Sequence, residues 1–146
     1  MAYLFDSNIL LRLVYREHIE HVLVRTAVAK LLKRGEDCYF TAQNLAEFWS
    51  ASTRPATARG GLGRSTFATD HAARVVERLV KFLPDDPAVH IEWRKLVVAY
   101  GVQGVEVYDA RLVAMMKVHR LTHILTTDKR DFNRYSEITP VHPEIV

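Results

Sequence analysis

The sequence holds one cysteine in 146 residues, Cys38, so it forms no internal disulfide, and a reducing cytoplasm is the expected setting. Within Asp37-Cys38-Tyr39-Phe40 that thiol reads as a small core hydrophobe. No apolar run approaches the length needed to cross a bilayer, so no membrane role is expected. The opening Met1-Ala2-Tyr3-Leu4-Phe5-Asp6 lacks a basic segment and reaches an acid at position six, unlike a secretion signal. Repeats, low-complexity stretches and linkers are also missing, which leaves one domain over residues 1–146 as the expectation. Charge of one sign is in small excess only. Lys and Arg number 20 against 17 Asp and Glu, for a formal net charge of +3 and a pI near 9.1. That mild bias is compatible with a phosphate-backbone partner and does not by itself establish one.

What the chain does have is a succession of short apolar runs, each followed by a helical pattern. Tyr3-Leu4-Phe5 reads as a buried strand, with Asp6, Ser7 or Asn8 capping a helix from Ile9 to about Tyr15. A second helix is predicted from about Glu17 to Arg34, with Val22, Ala27, Leu31 and Leu32 at helical spacing and Gly35 as its stop. Asp37 to Phe40 is the second strand. Thr41 caps a helix to about Thr53, ended by Arg54-Pro55. After a glycine-bearing loop, Ser65 caps a helix to about Val80, and Phe82-Leu83 is a third strand. Asp86-Pro87 opens a helix to about Tyr100. Glu106 to Arg120 is helical again, Ile124 to Thr126 is a fourth strand, a short helix covers about Arg130 to Tyr135, and Ile138 to Val141 is a fifth strand. Short strands alternating with helices imply an α/β fold, a parallel sheet covered on both faces. Sites in such folds lie beyond the carboxyl ends of the strands.

Two acids fall at those ends: Asp6 directly after the first strand and Asp128 just after the fourth. Glu47, beside Leu45, Phe48 and Trp49, and Asp109, in Val107-Tyr108-Asp109-Ala110, are acids on otherwise apolar helices. Carboxylates crowded into a poorly solvated pocket repel one another, and a hard dication such as Mg²⁺ or Mn²⁺, which takes oxygen ligands, resolves that conflict. Such an ion activates water for phosphodiester hydrolysis. Each acid alone also has a plainer reading: Asp6 as a helix cap, Glu47 as a helix-surface acid, Asp109 as a cap or a partner of Arg111, Asp128 as a turn residue.

In order along the chain, Leu4-Phe5-Asp6-Ser7-Asn8-Ile9-Leu10, Ala42-Gln43-Asn44-Leu45-Ala46-Glu47-Phe48 with Ser52-Thr53-Arg54-Pro55 after it, Val107-Tyr108-Asp109-Ala110-Arg111-Leu112-Val113-Ala114, and Ile124-Leu125-Thr126-Thr127-Asp128-Lys129-Arg130-Asp131-Phe132 resemble the acidic motifs of PIN domains. The resemblance implies a three-layer α/β/α sandwich around a central parallel sheet of about five strands. It also implies a Mg²⁺- or Mn²⁺-dependent endoribonuclease similar to the VapC-type toxins of toxin–antitoxin pairs. Such proteins act on RNA, usually form homodimers and are held inactive by a small antitoxin protein. By position, Asp6, Glu47, Asp109 and Asp128 would be the catalytic metal ligands. Ser7 and Asn8 would orient a ligand or phosphate, and Thr126 would support the site with its hydroxyl. The chain departs from the pattern at Tyr108, where relatives often carry His, and Asp131 reads as a surface or capping acid.

Positive charge for RNA is sought at Arg54, Arg59, Arg64, Arg111, Lys129 and Arg130, with Gly60, Gly61 and Gly63 letting a loop approach a backbone. His18 with His21 and His119 with His123 have chelating spacings but no evident third ligand. Two other functions share the leading features. An aspartyl-nucleophile phosphoryl-transfer enzyme would also place Asp6 after a first strand, with Lys129 as its late lysine, yet it needs an acid where Asn8 stands. A non-catalytic PIN-like module that binds RNA or protein would not need all the acids.

Overall fold

The computed structural model describes residues 1–146. Five strands, β1 (Ala2–Phe5), β2 (Asp37–Thr41), β3 (Lys81–Leu83), β4 (His123–Leu125) and β5 (Thr139–Val141), form one sheet in the order β3-β2-β1-β4-β5. Every pairing is parallel, and Phe5 at the end of β1 lies opposite Leu125 at the end of β4. The chain builds outward from β1 through β2 to β3, then returns to the other side of β1 with β4. The strand order therefore reverses at the β1/β4 boundary, the place where open α/β sheets leave a crevice at their carboxyl edge.

Alternation along the strands assigns the two faces. Tyr3 and Phe5 of β1, Cys38 and Phe40 of β2 and Leu125 of β4 point into one core. That core is closed by α1 (Ser7–Val14), α2 (His21–Lys33), α3 (Ala42–Thr53) and α4 (Thr66–Leu79). Leu4 and Ile124 point the other way, into a core closed by α5 (Pro87–Ala99) and α6 (Glu106–Val118), where Leu112, Val113, Met115 and Met116 are fully buried. The result is the expected three-layer α/β/α sandwich. Phe48 of α3 is fully buried and stacked on Tyr15, so its truncation to Ala costs about 3–5 kcal/mol.

The caps hold as predicted. Asp6 accepts from Ser7 N, Ser65 from Ala68 N and Asp86 from Ala88 N, while Thr41 and Asn44 form a reciprocal capping box. The second helix starts later than its pattern predicts, at His21 instead of Glu17. The His18 ring nitrogen takes the Glu20 N–H and holds residues 16–20 in turns, so His18 and His21 do not share a helix. The buried face of α2 is Val24, Ala27, Val28 and Leu31; Val22 and Leu32 are exposed. α6 stops at Val118, short of Arg120, which adopts a left-handed φ of 60°. His123 lies in β4, off the helix that ends before His119. The helix predicted for 130–135 shrinks to one 3₁₀ turn, Lys129–Asp131, and a second such turn, Pro143–Ile145, was not predicted. No helix is long and apolar enough to cross a membrane.

Candidate active site

Asp6 sits at the reversal point because β1 ends there. Its backbone N–H still donates to Leu125 O of β4 at 3.0 Å, while its side chain turns up to cap α1. The carboxylate is buried and fully engaged. Oδ1 accepts from Ser7 N at 2.7 Å, and Oδ2 accepts from the Thr126 hydroxyl at 2.8 Å and from Asn8 Nδ2 at 3.2 Å. Asp6 is thus both the helix cap of the plainer reading and the centre of an acidic crevice. Burial pushes its carboxyl up to about 6. The Thr126 hydroxyl and Ser7 N–H pull against that shift, and the charges of Glu47 and Asp131 add to it.

Asp109 enters from the first turn of α6 and is half-buried. Burial pushes it up to about 7, with the charges of Asp6, Asp131, Glu47 and Glu106 acting in the same direction. Arg111 does not neutralise it, because that guanidinium pairs with Asp85 at 3.2 Å. Glu47 lies on the second turn of α3. Gln43, one turn earlier, donates to Glu47 Oε1 at 2.8 Å and also to the Tyr108 carbonyl at 2.8 Å, which ties α3 to the start of α6. Sequence reasoning passed over Gln43. Its spacing of four from Glu47 was the available signal.

The turn after β4 separates two acids three residues apart. Asp128 faces outward, with its oxygens 3.1 Å from Arg130 Nε and Nη2, and that partner holds its carboxyl below the usual range. It also caps the 3₁₀ turn through Arg130 N, as a turn residue would. Asp131 is exposed on that turn, yet its charge acts on both Asp6 and Asp109, and its own carboxyl is raised, first by burial and then by Asp128. Asp6, Glu47, Asp109 and Asp131 thus act on one another through their charges, while Asp128 is held by Arg130. None of the four enters an ion pair, whereas the neighbouring Asp128 and Glu106 have Arg130 and Arg134. As placed, no three His, Cys, Asp or Glu side chains close tightly enough to grip an ion.

Ser7, Asn8 and Thr126 all lie around the Asp6 carboxylate. Asn8 bridges, donating to Asp6 and accepting from Thr127 N at 3.3 Å, and Thr126 is fully buried. Ser7 Oγ takes a 3.4 Å contact from Asn44 Nδ2. The cations divide. Lys129 and Arg130 are exposed beside the crevice, and Arg111 reaches Gln43 at 3.4 Å. Arg64 is structural: its guanidinium lies 4.2 Å over the Tyr15 ring and pairs with Glu17. Arg54 and Arg59 are exposed on the loop of residues 54–64, which packs on the far ends of α1 and α3. The eight residues of α1 put that loop about 12 Å from Asp6. The second acid that an aspartyl-phosphate enzyme needs is absent, since Asn8 instead donates to Asp6.

A sequence profile described as the PIN domain matches residues 3–138. No curated protein matches the sequence. Among solved structures, the chain is similar to VapBC2 from Rickettsia felis bound to a DNA fragment from its promoter (TM-score 0.72, 11% identity, covering 97% of this chain and 98% of that one). It is also similar to FitAcB from Neisseria gonorrhoeae (TM-score 0.67, 18% identity, 99% of each chain). A third likeness is to VapC20 from Mycobacterium tuberculosis, described as a sarcin–ricin loop cleaving toxin (TM-score 0.65, 13% identity, 93% of this chain and 98% of that one). At these identities the likeness is one of fold.

Proposed function

This chain belongs to the PIN domain family, and from that premise we propose that it is a divalent-metal-dependent endoribonuclease, the VapC-type toxin of a toxin–antitoxin pair. The observation that carries the reading is the set Asp6, Glu47, Asp109 and Asp131, which share one crevice at the reversal point of the sheet with no cation among them. Such a set destabilises the fold unless something positive joins it. An all-oxygen donor set free of Cys and His fits Mg²⁺ or Mn²⁺ better than zinc.

Asp6 and Asp109 are the ligands the placement supports most directly, with Glu47 on the α3 side. For the fourth acid, from the turn after β4, our reading favours Asp131, whose charge acts on Asp6 and Asp109, over Asp128, which Arg130 holds. When bound, the metal supplies an activated water and a counter-charge for the phosphoryl oxygens. The chain's own residues do the rest. Thr126, Asn8 and Ser7 N fix the Asp6 carboxylate in one orientation. Gln43 fixes Glu47 against α6. Asp109, whose carboxyl is raised to about 7 without metal, would give up its proton on binding the ion and serve as a ligand. Lys129, exposed on the turn after β4, offers charge to an RNA backbone. The VapC-type reading brings with it a small antitoxin partner, a homodimer and a cytoplasmic setting.

The test is cleavage of a mixed RNA substrate by the purified protein with Mn²⁺. Wild type should cut, leaving 5′-phosphate ends, and Asp6→Asn should lose cleavage by at least about a thousandfold with its circular dichroism spectrum unchanged. Undiminished cleavage by Asp6→Asn would sink the proposal.

A further inference from the structure

Beside the acidic crevice, between the start of α5 and the first two turns of α6, lies a cavity of about 330 Å³ that the proposed chemistry leaves unused. Asp85, Asp86, His90 and Trp93 form one wall and Tyr108 and Arg111 the other. It adjoins the acids through shared residues. Arg111 Nη1 donates to Gln43 Oε1 at 3.4 Å, and Gln43 Nε2 donates to both Glu47 and the Tyr108 carbonyl. A group seated here is therefore one linked set of side chains away from the proposed cleavage centre.

The lining has the chemistry of a base pocket. Trp93 is half-buried and fixed by its indole N–H to Val107 O at 2.9 Å, with the His90 ring 6.1 Å from it. Tyr108, 58% exposed at the rim, presents an unpacked aromatic face. Flat aromatic surfaces in an RNA-cutting protein stack unpaired bases. Asp85 spends Oδ1 on Arg111 at 3.2 Å and leaves Oδ2 free, so a carboxylate and a guanidinium stand side by side. Guanine is the base that matches such a pair. Its N1–H and 2-amino group give a carboxylate two adjacent donors, while O6 and N7 give a guanidinium two acceptors. Adenine and cytosine each offer a single amino donor beside an acceptor, and uracil flanks its one donor with acceptors that a carboxylate repels.

We propose that this cavity holds an unpaired guanine next to the cleaved phosphate, with Tyr108 stacking on the base and the Asp85–Arg111 pair reading its edge. The inference rests on the ribonuclease reading and adds a sequence preference to it.

The test uses full-length Asp6→Asn protein with a fluorescein-labelled tetraribonucleotide, UUGU, and the same oligonucleotide with inosine in place of guanosine, which removes only the 2-amino group. In Mn²⁺ the guanosine oligonucleotide should bind about tenfold more tightly than the inosine one. Adding Asp85→Asn should bring that ratio close to one. Adding Tyr108→Ala instead, at an exposed position that does not carry the fold, should weaken guanosine binding about tenfold. A starting ratio near one, or a ratio that Asp85→Asn leaves intact, overturns the proposal. If wild type cuts RNA while either of those results is found, the base pocket falls and the ribonuclease reading stands. If wild type neither binds nor cuts RNA, both fall together.

Discussion

The hydroxyl of Thr126 donates to Asp6 Oδ2 at 2.8 Å, joining two buried residues 120 positions apart in sequence. The bond closes the crevice between β1 and β4 and sets the direction in which the buried carboxylate points. Thr126→Val keeps the shape and removes the donor. It should raise the Asp6 carboxyl above its present position near 6 and destabilise the fold by about 1–3 kcal/mol. Chemical denaturation checks the stability, and a Mn²⁺ titration at pH 6.5 should show affinity reduced about tenfold.

Asp6 and Asp109 make metal-free stability depend on pH in a definite sense. Both bind protons more tightly in the folded protein, near 6 and 7, than in the unfolded chain, near 3.8. Their contribution is therefore fully present below about pH 4 and is lost as pH rises through 6 and 7. Asp109→Asn should flatten that decline and raise stability at pH 8 by about 1 kcal/mol, roughly 3 °C in Tm, a figure discounted for the solvent that reaches this half-buried group. Thermal melts in chelator from pH 5 to 8 test it, and a variant melting below wild type at pH 8 would contradict it.

Metal affinity should run the opposite way. Ligand carboxyls must be deprotonated to bind, so Mn²⁺ affinity should climb between pH 5.5 and 7.5 and binding at pH 6 should release protons. Calorimetry in two buffers of different ionisation enthalpy measures that release. A pH-independent affinity would mean that Asp6 and Asp109 are not ligands.

The turn after β4 offers a direct contest between two acids. Asp131→Asn should cut metal-dependent cleavage at least tenfold, whereas Asp128→Asn, which loses only the exposed contacts to Arg130, should change it less than threefold. The reverse ranking would restore Asp128 as the ligand, as motif position implies.

The loop of residues 54–64 is expected to matter for folding rather than for RNA. A Cβ on Gly61 would fall 2.1 Å from the Pro55 carbonyl oxygen, so Gly61→Ala must displace backbone. It should destabilise the protein by about 1–3 kcal/mol, while Arg59→Ala should leave cleavage within twofold of wild type.

The parts legible in the sequence were those decided locally. Tyr3-Leu4-Phe5 and Ile124-Leu125 are apolar runs ended by polar residues, and the Thr41/Asn44 and Asp86-Pro87 helix starts use residues within one turn of each other. Asp6 and Asp109 stand out in the sequence because acids occupy places where apolar patterns should continue. What escaped was settled by direction or by distant partners. Asp128 and Asp131 are equivalent in composition, and the pairing of Asp128 with Arg130 across the 3₁₀ turn is not legible from it. The placement of Arg64 over Tyr15 and beside Glu17, both distant in sequence, is not legible from its loop. The start of α2 was misjudged because a single His18 contact to Glu20 N outweighs an amphipathic pattern over one turn.

The strand order has a consequence for the time before the protein is finished. β1 precedes its neighbour β4 by nine elements in chain order, and Asp6 meets Thr126 only when β4 docks. A chain still on the ribosome carries Asp6 and Glu47 without Asp109 or the strand that orients them. The acidic cluster therefore cannot assemble until the segment that carries β4 has been made, long after Asp6 itself.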